Sequence, residues 1–192
     1  MSSIKLESNA SGTGVFTLAS PNSNTNRMLT LPDNTGTILT SATTTGFPAG
    51  SVIQVVTATY STQTSISSTS YADTGLTASI TPTSASSKIL VIVNQSVANQ
   101  QNTNAARVFE LQLLRGATTI MDKDFYSYAA VGANGYFETG LDGTQIVLDS
   151  PATTSSTTYK TQARMDSTAS STALVFQQGS GESTITLMEI AA

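Results

Sequence analysis

Short runs of alternating apolar and polar residues, separated by turn residues, fill this sequence from residue 51 to its end. About nine to ten such runs follow one another at intervals of roughly 8–15 residues. Because a β-strand places successive side chains on opposite faces, alternation of this kind predicts strands with one buried face. A helix is an alternative for residues 105–115, but their strict alternation and the absence of a helix cap favour a strand.

Composition supports an all-β interpretation. Ser and Thr make up about a third of the residues, and charged residues only 10%. Thr favours strands through its β-branch, and Ser favours turns. A disordered Ser/Thr-rich stalk would lack the regular apolar alternation seen here. The strand count predicts a jelly-roll-like antiparallel β-sandwich, with a sandwich of another topology as the nearest alternative.

Within this predicted sandwich, three runs have distinct expected positions. The most apolar run, residues 88–94, favours a central strand. The polar residues 64–71 indicate an edge strand or a loop. The Gln- and Asn-rich residues 97–104 predict a loop.

The first 46 residues show a different pattern, with few apolar residues and two short β runs around a turn. In the stretch NRMLTLPDNTGTI, residues 26–38, Pro presets φ, Asp and Asn bond back to their own backbone, and Gly accepts a positive φ. We therefore predict an extended β-arm over residues 1–46, a hinge over 47–50 and a sandwich head over 51–192.

The predicted arm carries apolar residues on both of its faces, and a two-stranded unit is marginal in water when alone. Its apolar side chains therefore need a partner. Self-association is one source, and three arms wound about an axis would bury both faces of each. Addition of the arm to a neighbouring protein's sheet is the alternative. The predicted assembly contacts are Val15, Phe16, Leu18, Met28, Leu29, Leu31, Ile38 and Leu39.

The residue inventory argues against several classes of function. The chain has no Cys and no His, which excludes thiolate and imidazole metal sites and a Ser-His-Asp triad. Its net charge is −4 and its eight basic residues are scattered, which argues against nucleic-acid binding. The longest apolar run has five residues, too few to span a membrane. We expect a non-enzymatic protein without a cofactor, with no membrane insertion and no apolar core of a signal peptide.

Two pairs of carboxylates have a possible chemical role. Asp122 and Asp124 are a candidate calcium pair, but without a third acidic neighbour a solvated loop is favoured. Glu138 and Asp142 are a candidate glycosidase pair, since that reaction uses two carboxyl groups. Asp142-Gly143 is a strong hairpin-turn signal, however, and the turn is the preferred interpretation.

Three of the six tyrosines lie between residues 126 and 136. Exposed tyrosine rings beside amide and acidic side chains suit sugar binding, and we take Tyr126, Tyr128 and Tyr136 as possible contacts to a host surface glycan. A core or subunit-interface cluster is the competing interpretation.

Three segments resemble the tail-fibre-like virion proteins of aquatic tailed bacteriophages. They are residues 15–38, from VFTL through NRMLTLPDNTGTI, residues 48–56, PAGSVIQVV, and residues 71–91, YADTGLTASITPTSASSKILV. The resemblance covers about half of the chain. It implies a homotrimer on the virion surface, with a β-sandwich head and an arm that contacts other virion proteins of the tail, portal region or shell.

Three functions therefore compete. The first is a short trimeric fibre or receptor-binding appendage. The second is a capsid decoration or cement protein whose arm clamps neighbouring shell subunits, which the short chain favours. The third is a glycan-degrading virion enzyme.

Overall fold

The computed structural model describes residues 11–15, 17, 24–26, 28, 46–102, 105–129, 135, 137–167, 171–179 and 181–192. The chain divides into two compact units, Met1–Ile38 and Leu39–Ala192. All strands of the described residues belong to the second unit, and these residues form no helix. The predicted boundaries of arm, hinge and head stay a prediction.

Ten strands form two antiparallel sheets. Their bounds are β1 Val52–Tyr60, β2 Thr64–Ile66, β3 Ala72–Ile80, β4 Lys88–Gln101, β5 Ala105–Arg115, β6 Thr118–Ala129, β7 Phe137–Asp149, β8 Thr157–Met165, β9 Ser171–Phe176 and β10 Ser183–Ile190.

The first sheet is built around the long strand β4. One edge of β4 pairs with β7, and the other pairs with β10 and then with β9. β1 pairs with the outer edge of β10, and β2 with that of β9. β9 and β10 thus form one strand line, interrupted between Phe176 and Ser183, and β1 and β2 form another, interrupted between Tyr60 and Thr64. The second sheet has the order β3-β8-β5-β6.

The connections between these strand lines identify the topology. The chain crosses from one sheet to the other at each connection, except within the two interrupted lines and at the β5–β6 hairpin. Counted by lines, the sandwich has four strands in each sheet, the arrangement of a jelly roll. The predicted fold class, an antiparallel all-β sandwich of jelly-roll type, is confirmed.

The sandwich has two distinct ends. At the entry end, the Gly50 amide donates to the Ala191 carbonyl at 2.8 Å and the Ala191 amide donates to Ser51 at 2.9 Å, which ties the incoming chain to the C-terminal residues. At the far end, β5 begins and β6 ends, with Ala105 opposite Ala129. Gly50 and Ala191 therefore lie at the entry end of the sandwich, and Ala105 and Ala129 at its far end.

The interior holds two apolar clusters. The cluster nearer the entry end includes Leu76, Ile80, Ile89, Val91, Val93, Leu113, Tyr159, Ile185 and Leu187. The cluster nearer the far end includes Ile66, Val97, Phe109, Leu111, Ala163, Met165, Leu174 and Phe176. Burial of these side chains is the main stabilising term, at about 25 cal/mol for each Å² of apolar surface removed from water.

A buried polar belt (Thr74, Gln95, Thr161, Gln177 and Ser183) lies at the level where both strand lines are interrupted. The Thr161 hydroxyl donates to Gln95 Oε1 at 2.8 Å, and the Ser96 amide donates to Ser183 Oγ at 3.0 Å. With its amide oxygen facing Ser183, Gln177 accepts from Ser183 Oγ and from Gln95 Nε2, each at 2.7 Å. The belt thereby satisfies polar groups that burial would otherwise penalise.

A second polar contact joins the sheets at the entry end. Asp149, the last residue of β7, accepts from Arg115 Nη1 at 2.7 and 2.8 Å and from the Tyr159 hydroxyl at 2.7 Å. Burial, followed by the hydrogen bond to Asp149, raises the pKa of Tyr159 above its ordinary value. The contact closes the sandwich where β5, β7 and β8 meet.

Two of the predicted turns and loops are wrong because the strands run on. β4 continues through Gln101, so residues 97–101 are strand rather than loop, and residues 103 and 104 lie outside the described part. β7 passes straight through Asp142-Gly143, opposite Ser96 and Gln95. A Cβ on Gly143 would lie 3.1 Å from Leu111 Cδ2 and 3.3 Å from Phe125 Cζ, so packing space, not a turn, explains this glycine.

Other predictions for single strands have clear outcomes. Residues 105–115 form strand β5, as predicted, and residues 88–94 lie in the central strand β4. Thr64–Ile66 is an edge strand, in line with one of the two alternatives for that run. The solvated loop predicted for residues 122–124 is wrong, because β6 extends as far as Ala129 in register with β5.

Candidate functional site

The predicted assembly contacts fall mostly outside the described residues. Those outside are Phe16, Leu18, Leu29, Leu31, Ile38 and Leu39. The two that are described, Val15 and Met28, are 90% and 89% exposed. Single exposed apolar side chains are common on protein surfaces, so the assembly contacts stay a prediction.

Tyr126 is an exposed aromatic residue on β6, the edge strand of the second sheet. Its neighbour Phe125 points inward and stacks on Phe109, with ring centroids 4.9 Å apart. Alternation along the strand then directs Tyr126 outward, where it is 72% exposed. The β6 backbone places Tyr128 opposite Ala106, three positions nearer the far end than Phe125, but its side chain lies outside the description. Tyr136 lies outside the described residues.

The outer surface of the second sheet is charged. The Tyr71 hydroxyl donates to Glu110 at 2.7 Å and to Asp122 at 2.9 Å. Nε and Nη2 of Arg164 donate three hydrogen bonds to the Glu110 carboxylate. The Arg164 hydrogen bond, with a smaller contribution from Tyr71, holds the pKa of Glu110 below its ordinary value. Burial and then these carboxylate contacts raise the pKa of Tyr71.

This network also includes one member of the candidate calcium pair, Asp122 and Asp124. The Asp122 carboxylate accepts a hydrogen bond from Tyr71, and Asp122 and Asp124 stand on one outward-facing edge of β6. Among the described residues, no group of three or more His, Cys, Asp or Glu side chains has the arrangement of a metal site. Asp122 belongs to a surface network that joins Tyr71, just before β3, to strands β5, β6 and β8 of the second sheet.

Glu138 and Asp142 face an open groove of about 500 Å³ on the first sheet. The other lining residues are Ser96, Val97, Ala98, Gly140, Leu141, Gln178 and Gly179. The two acidic residues stand four apart on β7, about 13 Å along the strand, whereas glycosidase carboxyl groups are about 5–9.5 Å apart. The two carboxyl groups come within that distance of each other only if both side chains lean toward one another. The groove offers carboxylate, amide and hydroxyl groups for hydrogen bonding.

The outer face of the first sheet carries a row of apolar residues that the sequence analysis missed. The register places Leu148 of β7 beside Leu90 of β4, Leu90 beside Met188 of β10, and Met188 beside Val55 of β1. The sequence contains one indication of this apolar row, because residues 89–93 are apolar at every position. A strand with both faces apolar is typical of a sheet covered on both sides.

The next row along the same face combines apolar and hydroxyl side chains. It runs through Ile146, Ile92, Thr186 and Thr57, with the two threonine hydroxyls 3.4 Å apart. Ile146 is 56% exposed and Leu148 51%. We call Val55, Leu90, Ile92, Ile146, Leu148 and Met188 the apolar face.

Within the described ranges, the structure has no helix that is long and apolar enough to cross a membrane.

Comparisons with known proteins give no family assignment. No family model matches the chain, and no curated protein sequence matches it. Among solved structures, the insecticidal δ-endotoxin Cry8Ea1 of Bacillus thuringiensis matches with a TM-score of 0.35 at 17% identity, over 67% of this chain and 19% of that one. The structure of infectious bursal disease virus strain Gt matches with a TM-score of 0.33 at 11% identity, over 80% and 42%.

A third similar structure is the VP2 subviral particle of infectious bursal disease virus, with a TM-score of 0.31 at 16% identity, over 72% of this chain and 37% of that one. This chain thus spans less than half the length of each of these three proteins.

Proposed function

We propose that this protein is a structural protein of a tailed-bacteriophage particle, a homotrimeric surface appendage whose N-terminal arm anchors it to other virion proteins. The observation that carries the proposal is the contrast between the two parts of the chain. The sandwich buries two apolar clusters of its own, whereas Val15 and Met28 in the preceding unit are almost fully exposed.

The resemblance of residues 15–38, 48–56 and 71–91 to tail-fibre-like virion proteins supplies the biological context. Residues of the first segment include the exposed Val15 and Met28. The second segment contains the turn in which Ser51 donates to Pro48 at 3.0 Å, and it leads directly into β1. The resemblance therefore covers the predicted arm and the first strands of the sandwich.

The two ends of the sandwich suit an appendage with separate tasks. The chain enters at Gly50, beside Ala191, at the entry end. Tyr126 lies toward the opposite end of β6, close to Ala129. A receptor contact near Tyr126 would then lie at the end of the sandwich opposite to the end at which the chain enters.

Incorporation into particles tests the anchoring role. The variants Val15→Asp and Met28→Asp place a charge where we expect an apolar contact, and deletion of residues 1–46 removes the arm. All three are expected to leave the sandwich folded and to reduce the amount of protein in purified particles. The matched control is Thr13→Asp, an exposed polar position in the same unit. Normal incorporation of the folded deletion variant would contradict the proposal.

The number of copies per particle separates an appendage from a capsid decoration protein. Quantitative mass spectrometry of purified particles is expected to give tens of copies for an appendage. Hundreds of copies would support a decoration or cement protein, whose arm clamps shell subunits instead.

A further inference from the structure

We propose that the apolar face on the first sheet is a contact surface between copies of this chain. The proposal deepens the proposed function, on whose self-association it rests, by assigning that association a surface on the sandwich. It concerns residues of β1, β4, β7 and β10 and uses none of the predicted contacts in the arm.

The first argument is the contrast between the two outer faces of one sandwich. The second sheet turns Glu110, Arg164, Asp122, Asp73 and Lys160 toward water, and several of these are joined in ion pairs, such as Lys160–Asp73 at 2.8 Å. An antiparallel sheet with one solvated face normally alternates in this way, apolar inward and polar outward. The first sheet departs from that pattern on its outer face.

The second argument is the continuity of the apolar face. Val55 is 54% exposed and lies at one side of the sheet, while Leu148 is 51% exposed and lies at the other. Leu90 and Met188 fill the two strands between them. Apolar side chains thus cross the full width of the sheet, which scattered surface residues do not do.

The third argument concerns which partner fits. A contact between identical copies places a patch against itself or against the same patch of a neighbour, so the patch has to be chemically compatible with itself. The two rows from Leu148 to Val55 and from Ile146 to Thr57 consist of aliphatic residues and threonines, which are compatible with themselves. A second copy of this chain is therefore the occupant that the chemistry favours over a charged partner.

The outer surface of the first sheet is large enough for such a contact, with the apolar face at its centre and polar residues such as Asn94 and Thr184 beside it. Four strand lines at about 4.8 Å spacing and about eight residues at 3.3 Å each give roughly 500 Å² for this outer surface, of which the two rows of the apolar face cover about half. Two copies would then bury about 1,000 Å² and three about 1,500 Å², which reaches the range of specific interfaces. Two sheets of this kind pack face to face at a distance of about 10 Å.

Cysteine labelling tests the proposal on the full chain. The protein has no cysteine of its own, so a single introduced thiol reports on one position without background. Val55→Cys and Ile146→Cys probe the apolar face, and Thr118→Cys, an exposed position on β6 of the second sheet, is the control. A maleimide reagent is added to the folded protein at several protein concentrations.

Labelling at Val55→Cys and Ile146→Cys is expected to be at least about tenfold slower than at Thr118→Cys at high concentration, because a dimer at about a hundred times its Kd leaves under a tenth of its chains free. Dilution is expected to raise the labelling rate at both face positions to that at Thr118→Cys. Protection that does not change on dilution, in a protein with the mass of a monomer, would mean that the chain covers its own face, and would overturn the proposal.

A charge test gives the second measurement. The double variant Ile146→Lys/Leu148→Lys is expected to lower the mass measured by sedimentation velocity, while Thr118→Lys leaves it unchanged. Association that persists in the double variant, with fast labelling at Val55→Cys, would overturn the proposed face and leave the arm as the site of self-association. A monomeric wild-type protein with fast labelling would overturn both the face and the proposed trimer.

Discussion

The hydroxyl of Thr161, on β8 of the second sheet, donates a 2.8 Å hydrogen bond to the side-chain oxygen of Gln95, on β4 of the first. Both residues are fully buried. The contact crosses the interior between the two apolar clusters, so a polar bond joins the sheets at the centre of the sandwich. A buried polar group is costly to leave without its partner, and the polar belt is therefore a sensitive point of the fold.

Thr161→Val tests this sensitivity with almost no change in side-chain volume. It leaves Gln95 Oε1 without its shorter donor and removes the contact with the Thr74 hydroxyl at 2.5 Å. The free energy of unfolding is expected to fall by about 1–3 kcal/mol. Urea denaturation of the full chain at one fixed protein concentration measures it.

Thr158→Val is the matched control, because Thr158 lies on the same strand and is exposed. Thr158→Val is expected to lower the free energy of unfolding by no more than about 0.5 kcal/mol. Equal losses for the two variants would show that the belt contributes no more than a surface hydroxyl.

Gly75 is required by a bulge in β3 and by the ring of Tyr60. The register of β3 with β8 shifts between Asp73 and Thr77, and Gly75 has a φ of +92°. An added Cβ would lie 2.2 Å from Tyr60 Cε1. Gly75→Ala is therefore expected to destabilise the protein by about 2 kcal/mol or more, measured by urea denaturation.

Gly140→Ala provides the comparison for this prediction. Gly140 is also in a strand, but a Cβ there meets no atom within 4 Å, and its φ is not positive. This variant is expected to be neutral or slightly stabilising. A Gly75→Ala protein as stable as Gly140→Ala would contradict the steric explanation.

The sequence predicted the fold class because alternation and turn residues are local signals. It did not predict where β4 ends. The inward positions of β4 continue from Val93 through Gln95 to Val97, so the period of two is unbroken. The Gln- and Asn-rich residues 97–104 suggested a loop, since Ser127, which accepts hydrogen bonds from the amides of Asn99 and Gln101, is distant in sequence.

The candidate site also depends on contacts between residues that are distant in sequence. The exposure of Tyr126 follows from the stacking of Phe125 on Phe109, which depends on the pairing of β5 with β6. The apolar face depends on the neighbours of β4, namely β7 and β10. Single-strand periodicity shows which residues share a face, but only the pairing of distant strands shows that Leu90 and Met188 lie side by side.

Glu189 makes part of the stability of the sandwich depend on pH. Its buried carboxylate accepts from Gln54 Nε2 at 2.6 Å and from the Thr83 amide and hydroxyl at 2.8 Å each. Burial alone would raise the pKa of Glu189, but these hydrogen bonds outweigh it and lower the pKa below its ordinary value of 4.5. The charged form is therefore favoured in the folded state.

Since the folded pKa lies below the unfolded one, the contribution of Glu189 is present above about pH 4.5 and is lost as the pH falls through the folded pKa. Glu189→Gln is expected to lower the free energy of unfolding by about 1–3 kcal/mol at pH 7 and to reduce its slope between about pH 5 and pH 3. Glu182→Gln, at an exposed position just before β10, is the control. Identical pH profiles for the two variants would contradict this role.

Tyr126 is the described residue on which the expected glycan contact depends. Because its ring is 72% exposed, Tyr126→Ala is expected to change the free energy of unfolding by no more than about 0.5 kcal/mol. If the ring stacks on a sugar, its loss removes about 1 kcal/mol of binding free energy, which raises Kd roughly fivefold. Binding of the purified full chain to host cells and to immobilised glycans measures this, with Thr118→Ala, near the opposite end of β6, as the control. A folded Tyr126→Ala protein that binds as tightly as Thr118→Ala would exclude the ring from the contact, and the search for the receptor surface would then move to the groove beside Asp142.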